Sequence, residues 1–136
     1  MEQAAGTRVI TSQDWGRDLG IVRGTGSCTP LIWPGVGARH RSMHLLVLGP
    51  ASSTIRLRHP SEAAYYVIEG RAQVEDHDEG TAQPLVTGSM FHVGADTAYV
   101  ITAMGEGATI LGGPCPPDPA MYLSRPDPVA PEERNA

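Results

Sequence analysis

Short apolar runs, each ended by a glycine or proline turn, dominate this sequence from Leu31 onward. Residues 42–48 form a strongly apolar run that stops at Gly49, and the β-forming run 65–68 stops at Gly70. Among 136 residues with 16 glycines and 12 prolines, no segment has the period and length of an amphipathic helix. Turn signals that recur roughly every 8–12 residues predict an all-β sandwich or barrel.

The length suits one domain with one core. We expect residues 1–30 to form an N-terminal arm and edge strands, residues 31–113 the barrel, and residues 114–136 a tail. The tail holds seven prolines, and a proline cannot donate a hydrogen bond within a central strand. Only residues 121–123 are expected to dock there, as one turn.

Charge and cysteine content limit the partners. A net charge of -5 disfavours nucleic acid, and the longest strongly apolar run is far too short to span a bilayer. Cys28 and Cys115 form no C-x-x-C pair, and the first residues lack the features of a signal peptide. Free thiols in a cytoplasmic protein are therefore expected. Two basic clusters, at 39–44 and 56–59, are either solvated strand faces or a pocket rim for an anionic small molecule.

Two spaced motifs carry a family resemblance. Residues 50–70, which end in Y-V-I-E-G, resemble the first cupin motif, G-x5-H-x-H-x3-E-x6-G, and residues 88–103 match the spacing of the second, G-x5-P-x-G-x2-H-x3-N. The chain thus resembles a small single-domain bacterial cupin of the RmlC-like superfamily. The resemblance implies a double-stranded β-helix, or jelly-roll, barrel around one pocket.

The metal ligands of that family are largely replaced. With the register placed on Gly70, the four ligand positions hold Leu57, His59, Ala63 and Tyr99, so that one of four is kept. A divalent transition metal needs three or four N, O or S donors that converge on one point. Leucine and alanine supply none, so we expect no metal and no other cofactor.

Two further histidines leave another arrangement open. In cupins, the strand of His44 lines the pocket, and His92 lies on the strand of the second motif. Either could face inward, touch a substrate, or rebuild a metal site with His59. Strand parity decides this, and the sequence does not determine parity.

Family geometry places His59 and Tyr99 close together as a candidate catalytic pair. An imidazole can take a proton near neutral pH, and a phenol can donate one or stabilise an oxyanion. Some cupins, such as the sugar-nucleotide epimerases, use a histidine base and a tyrosine acid without a metal. The predicted substrate-binding residues around the pair are Ile55, Leu57, Ala63, Tyr65, Val67 and Ile101, with His44 and His92. Such a lining predicts a roomy apolar pocket, although the same residues could equally form a filled core.

Three functions are compatible with this pocket. The first is metal-independent isomerisation, cyclisation or dehydration of an apolar carbonyl compound of polyketide, aromatic or terpenoid type, in bacterial specialised metabolism. The second is ligand binding without catalysis, and the third is an oxygenase-type metal site with rebuilt ligands. A homodimer is expected, because small cupins usually pair through exposed sheet edges.

Overall fold

The fold is described from a computed structural model, which covers residues 6–14 and 17–123. Its described part holds eight strands and three short 3-10 turns. The strands are β1 (Val22–Arg23), β2 (Gly26–Ile32), β3 (Met43–Leu48), β4 (Ser53–Thr54), β5 (Glu62–Asp76), β6 (Thr81–Val86), β7 (Met90–Val93) and β8 (Tyr99–Cys115). The 3-10 turns are Ser12–Asp14, Pro34–Val36 and Pro119–Tyr122. No helix in the described residues is long and apolar enough to cross a membrane.

All strand pairing is antiparallel, and the register divides the strands into two sheets. The first sheet runs β7, β5 (first half), β8 (second half), β3, β2. The second runs β6, β5 (second half), β8 (first half), β4, β1. The long strands β5 and β8 therefore belong to both sheets, which gives the nearly closed jelly-roll barrel that the motif spacing predicts.

The long strands cross between sheets at glycines. β5 shifts register at Gly70, whose φ is +94°, and a Cβ built there would lie 2.1 Å from the carbonyl oxygen of Gly107 in β8. Glycine is thus required twice, for the left-handed backbone and for the close approach of the two strands. The sequence signal at Gly70 predicts a hairpin turn, but the structure has a bend inside one continuous strand. The reason is that both halves keep the same partner, β8.

Alternate residues of both sheets point inward and form one core. The core includes Leu46, Val67, Ile101 and Ile110, with Val67, Ile101 and Ile110 fully buried. The alternating run 54–59 resembles a strand in sequence, but among the described residues it pairs only as β4 and as the bridge of Leu57 with Tyr99.

The strands and turns can be assigned to the predicted arm, barrel and tail as follows. The arm and edge-strand segment contains β1 and most of β2, and each of the two is the last strand of its sheet. β8 continues two residues past the expected end of the barrel at 113. The turn expected at 121–123 is the 3-10 turn Pro119–Tyr122, with Met121 buried in the core. Residues 1–5 and 15–16 of the arm and residues 124–136 of the tail lie outside the described residues.

Substituting Gly70 tests the crossing. Gly70→Ala should lower the free energy of unfolding by about 2–4 kcal/mol, because the new methyl group meets backbone and the φ is strained. Gly80→Ala is the matched control, since Gly80 also has a positive φ but no atom within 4 Å of its Cβ position. It should cost about 1 kcal/mol. Equal losses in urea denaturation would mean that the approach of Gly70 to Gly107 contributes nothing.

Candidate functional site

His59 and Tyr99 meet in the core, as family geometry implies. Leu57 and Tyr99 exchange both backbone hydrogen bonds, Leu57 N–H to Tyr99 O at 2.8 Å and Tyr99 N–H to Leu57 O at 2.9 Å. This reciprocal pair fixes the segment 57–59 against the start of β8. His59 Nε2 then lies 2.8 Å from the Tyr99 hydroxyl, with both side chains buried.

The contact belongs to a longer hydrogen-bonded chain. His59 Nδ1 lies 2.8 Å from Oδ2 of Asp118, and the Tyr99 hydroxyl lies 2.6 Å from that of Tyr65. All four side chains are buried. We call Asp118, His59, Tyr99 and Tyr65 the buried relay.

One proton arrangement satisfies every contact of the buried relay. The Asp118 carboxylate accepts from His59 Nδ1–H, so the neutral imidazole accepts at Nε2 from the Tyr99 hydroxyl. The Tyr99 oxygen in turn accepts from the Tyr65 hydroxyl. Each group therefore donates toward Asp118, and His59 is held as the tautomer with a basic Nε2.

Burial sets the protonation states. Desolvation lowers the pKa of His59, and its hydrogen bond and charge interaction with Asp118 oppose the shift. Desolvation raises the pKa of Tyr99 well above its usual range and also raises that of Tyr65. At neutral pH the relay thus holds a neutral imidazole beside two protonated phenols.

Sequence reasoning missed Asp118, because it lies in the segment expected to be a loose tail. Asp118 caps the turn Pro119–Tyr122, where its Oδ1 accepts from the N–H of Ala120 at 3.0 Å. An aspartate followed by proline is a sequence signal for such a cap. That signal could have predicted the turn. It carries no information that Oδ2 reaches His59, 59 residues away.

His44 also faces inward and is buried, but it is not part of the relay. Its Nε2 lies 2.8 Å from the Tyr122 hydroxyl, so this histidine holds the tail turn against the barrel. Tyr122 also packs on Trp33, with ring centroids 4.9 Å apart. Desolvation and the nearby His59 lower the pKa of His44 to about 4.

His92 does not face the core, which resolves the strand parity that the sequence left open. Its side chain is 62% exposed and lies 2.8 Å from Glu62 Oε1 on the outer surface. The parity of β7 explains this, since Phe91 and Val93 point to the core and His92 points away.

A cavity of about 230 Å³ opens between the edge strands β6 and β7. These two strands end the two sheets and do not pair with each other, so the sheets part there. We call this space the mouth cavity. Its apolar lining includes Val74, Leu85, Phe91 and Val93, and its polar lining includes Asp76, Thr81, Gln83 and Thr97. Of the relay residues, Tyr99 alone lines it.

Of the predicted substrate-binding residues, only His92 lines the mouth cavity. Six were expected to surround an apolar pocket, but the structure has them buried in the hydrophobic core cluster: Ile55, Leu57, Ala63, Tyr65, Val67 and Ile101. None of the six lines the mouth cavity. Small barrels fill their interior with such side chains, because an empty apolar space forfeits packing energy.

The residues present do not fit the metal that the cupin family implies. Leu57 and Ala63 carry no donor atoms, and both ring nitrogens of His59 are already hydrogen-bonded. In the described part of the chain, no three His, Cys, Asp or Glu side chains converge on one point.

Buried His44 makes stability depend on pH. Its pKa falls from 6.5 in the unfolded chain to about 4 in the fold, so the unfolded state binds the proton more tightly. Stability is fully present above pH 6.5 and is lost as pH falls toward 4. Between pH 7 and 4.5 we expect a loss of about 2 kcal/mol from this group alone.

His44→Gln tests this linkage. The amide can still bond the Tyr122 hydroxyl but does not titrate, so the difference in unfolding free energy between pH 7 and 4.5 should shrink by that amount. His40→Gln is the control, since His40 is exposed. An unchanged pH difference in His44→Gln, measured by urea titration, would contradict the assignment.

Comparison with known proteins identifies the fold. No protein-family model matches the sequence, and no curated protein matches it. Among solved structures, the polyketide cyclase RemF from Streptomyces resistomycificus is similar, with a TM-score of 0.66 at 20% identity, covering 90% of each chain. KdgF from Halomonas sp. gives 0.68 at 14% identity, covering 84% of this chain and 99% of its own. A predicted oxalate decarboxylase from Thermotoga maritima gives 0.62 at 19%, covering 77% and 96%. Together with an RmlC-like cupin from Shewanella frigidimarina at 0.58, these likenesses show that the chain has the fold of the RmlC-like cupins.

Proposed function

We propose that this chain catalyses proton transfer on a small apolar carbonyl compound through its own side chains, without a metal, in an isomerisation, cyclisation or dehydration. The observation that carries the proposal is the buried relay, whose Tyr99 lines the mouth cavity. The likeness to RemF, a polyketide cyclase, supports a compound of polyketide or aromatic type. At 20% identity it does so by analogy of fold alone.

The relay works as one base. A substrate in the mouth cavity gives a proton from the carbon next to its carbonyl to the Tyr99 oxygen. In the same step the Tyr99 hydroxyl proton passes to His59 Nε2. No free phenolate accumulates, which suits a tyrosine whose pKa is raised by burial. The Asp118 carboxylate stabilises the imidazolium that forms.

The same path returns the proton. His59 gives its Nε2 proton back to Tyr99 as Tyr99 protonates another atom of the substrate, so the protein ends unchanged. Return to a different carbon is an isomerisation. Return to a hydroxyl that leaves as water is a dehydration. Attack of the enolate carbon on a second carbonyl, whose oxygen takes the proton, is a cyclisation. Tyr65 donates to the Tyr99 oxygen and stabilises negative charge on it.

Exposed apolar residues on the outer face of the first sheet, such as Tyr66, Ile68 and Met90, support a homodimer. Cys28 and Cys115 form no disulfide, which supports a reducing, cytoplasmic setting.

Hydrogen exchange into a carbonyl probe tests catalysis directly. In D2O, the wild type should accelerate deuterium incorporation next to the carbonyl of 2-tetralone over the buffer rate, as followed by proton NMR. His59→Gln and Tyr99→Phe should each lower the accelerated rate by about 10²-fold or more. The matched controls are His77→Gln and Tyr66→Phe, both at exposed positions, and they should keep the wild-type rate.

Two results would oppose this mechanism. Full acceleration in Tyr99→Phe would remove the relay from the reaction. Binding of 2-tetralone with no acceleration in the wild type would favour the alternative function, a ligand-binding cupin without catalysis.

The pH dependence tests the state of His59. Because desolvation lowers its pKa, the neutral base persists below pH 6.5, and kcat/KM should stay constant from pH 8 to 6.5 and fall at lower pH. Asp118→Asn removes the charge that opposes the shift, so the fall should move to still lower pH and kcat should drop. A fall centred above pH 7 would contradict the assignment of His59 as the base.

A further inference from the structure

The mouth cavity is lined by an acidic side chain that no arginine in the lining balances. Asp76 is among its lining residues, His92 lies at its outer edge, and no described arginine lines it. The sequence left open a pocket rim for an anionic compound, built from the basic clusters at 39–44 and 56–59. The structure does not bring either cluster into this lining.

Asp76 is fixed beside the reacting group. It pairs directly with Tyr99 across the ladder of β5 and β8, on the same face of the second sheet. Its Oδ1 accepts from the backbone N–H groups of Asp78 and Glu79, at 2.9 and 2.8 Å. These bonds hold the carboxylate in place, and a neutral amide oxygen could accept both of them.

The basic side chains on the neighbouring surface contact carboxylates other than Asp76. Arg58 bonds Asp78 at 3.1 Å and lies 3.5 Å from Asp96. His92 and His77 lie against Glu62 and Glu75, at 2.8 and 3.0 Å. In the described part of the chain, Asp76 has no such ion pair, so its charge acts on the cavity.

The volume and the walls limit the occupant. A cavity of about 230 Å³ is smaller than the roughly 300–1,000 Å³ that holds a drug-sized ligand. Phe91 supplies an aromatic wall and is itself backed by Tyr65, with ring centroids 5.1 Å apart and nearly parallel planes. A compound of one or two fused rings suits this space.

We propose that the mouth cavity accepts uncharged or cationic ring compounds and rejects anions, and that Asp76 sets this preference. The inference rests on the proposed function, for which it names the substrate class. An anion placed beside Tyr99 must approach a carboxylate in a partly desolvated cleft, where charges of like sign repel strongly. The same repulsion turns the carbonyl oxygen of a bound substrate away from Asp76.

Three probes of one shape test the preference: 2-naphthylmethanol, 2-naphthylmethylammonium and 2-naphthoate. Their Kd values are measured by titration of amide NMR signals, which also show whether the mouth cavity is the site. We expect the wild type to bind naphthoate at least tenfold more weakly than the alcohol, and the ammonium at least as tightly as the alcohol. Asp76→Asn should reduce the ratio of the naphthoate and alcohol Kd values at least fivefold.

Glu79→Gln is the matched control, because it removes one negative charge from the exposed side of the same turn. It should leave the ratio within twofold of wild type. An equal change in both variants would overturn the assignment to Asp76, since net charge alone would explain it. Equal Kd values for the alcohol and naphthoate in the wild type would also overturn it, as would the absence of shifts at the mouth cavity with all three probes.

A salt titration keeps the test valid if Asp76→Asn does not fold. In the wild type, raising NaCl from 20 to 500 mM should shrink the ratio of the two Kd values at least threefold. A ratio independent of salt would overturn the inference. The rate of hydrogen exchange into 2-tetralone tests the proposed function independently of the charge preference, because 2-tetralone is uncharged. Loss of the charge preference with exchange intact would leave the proposed function standing.

Discussion

The crossing of β5 and β8 is the constraint on which the rest of the molecule depends. Each strand contributes to both sheets, and the two bend together where Gly70 meets Gly107. This shared bend turns one antiparallel ladder into two facing sheets with a common core. It also brings the first half of β8, with Tyr99, and the first half of β5, with Tyr65, to opposite walls of that core.

The buried relay is a consequence of that geometry. Its four members come from the segment after β4, from the starts of β5 and β8, and from the turn that follows β8. A buried polar group is costly unless it is hydrogen-bonded, and each contact in the relay has both a donor and an acceptor. The tail is therefore part of the site, since its Asp118 holds the histidine that Tyr99 meets.

The opening of the barrel between β6 and β7 follows from the strand pairing. β6 and β7 pair with different halves of β5, so after the bend they end two different sheets and diverge. The mouth cavity lies in this gap, next to Tyr99 at the start of β8. Because the cavity lies in this gap and not in the interior of the barrel, the apolar residues that the sequence predicted to line a pocket pack in the core instead.

Turn signals and motif spacing predicted the all-β class and the cupin register, and the family resemblance implied the contact of His59 with Tyr99. Turn residues and motif spacing are local properties that survive without coordinates. The absence of metal-donor atoms at Leu57 and Ala63 also follows directly from the sequence, once the motif register is known. Three contacts required the folded chain to be seen: His92 points outward, His44 holds Tyr122, and Asp118 reaches His59. Side-chain parity and contacts between distant segments depend on how strands bend and register against each other, and no single stretch of sequence encodes that.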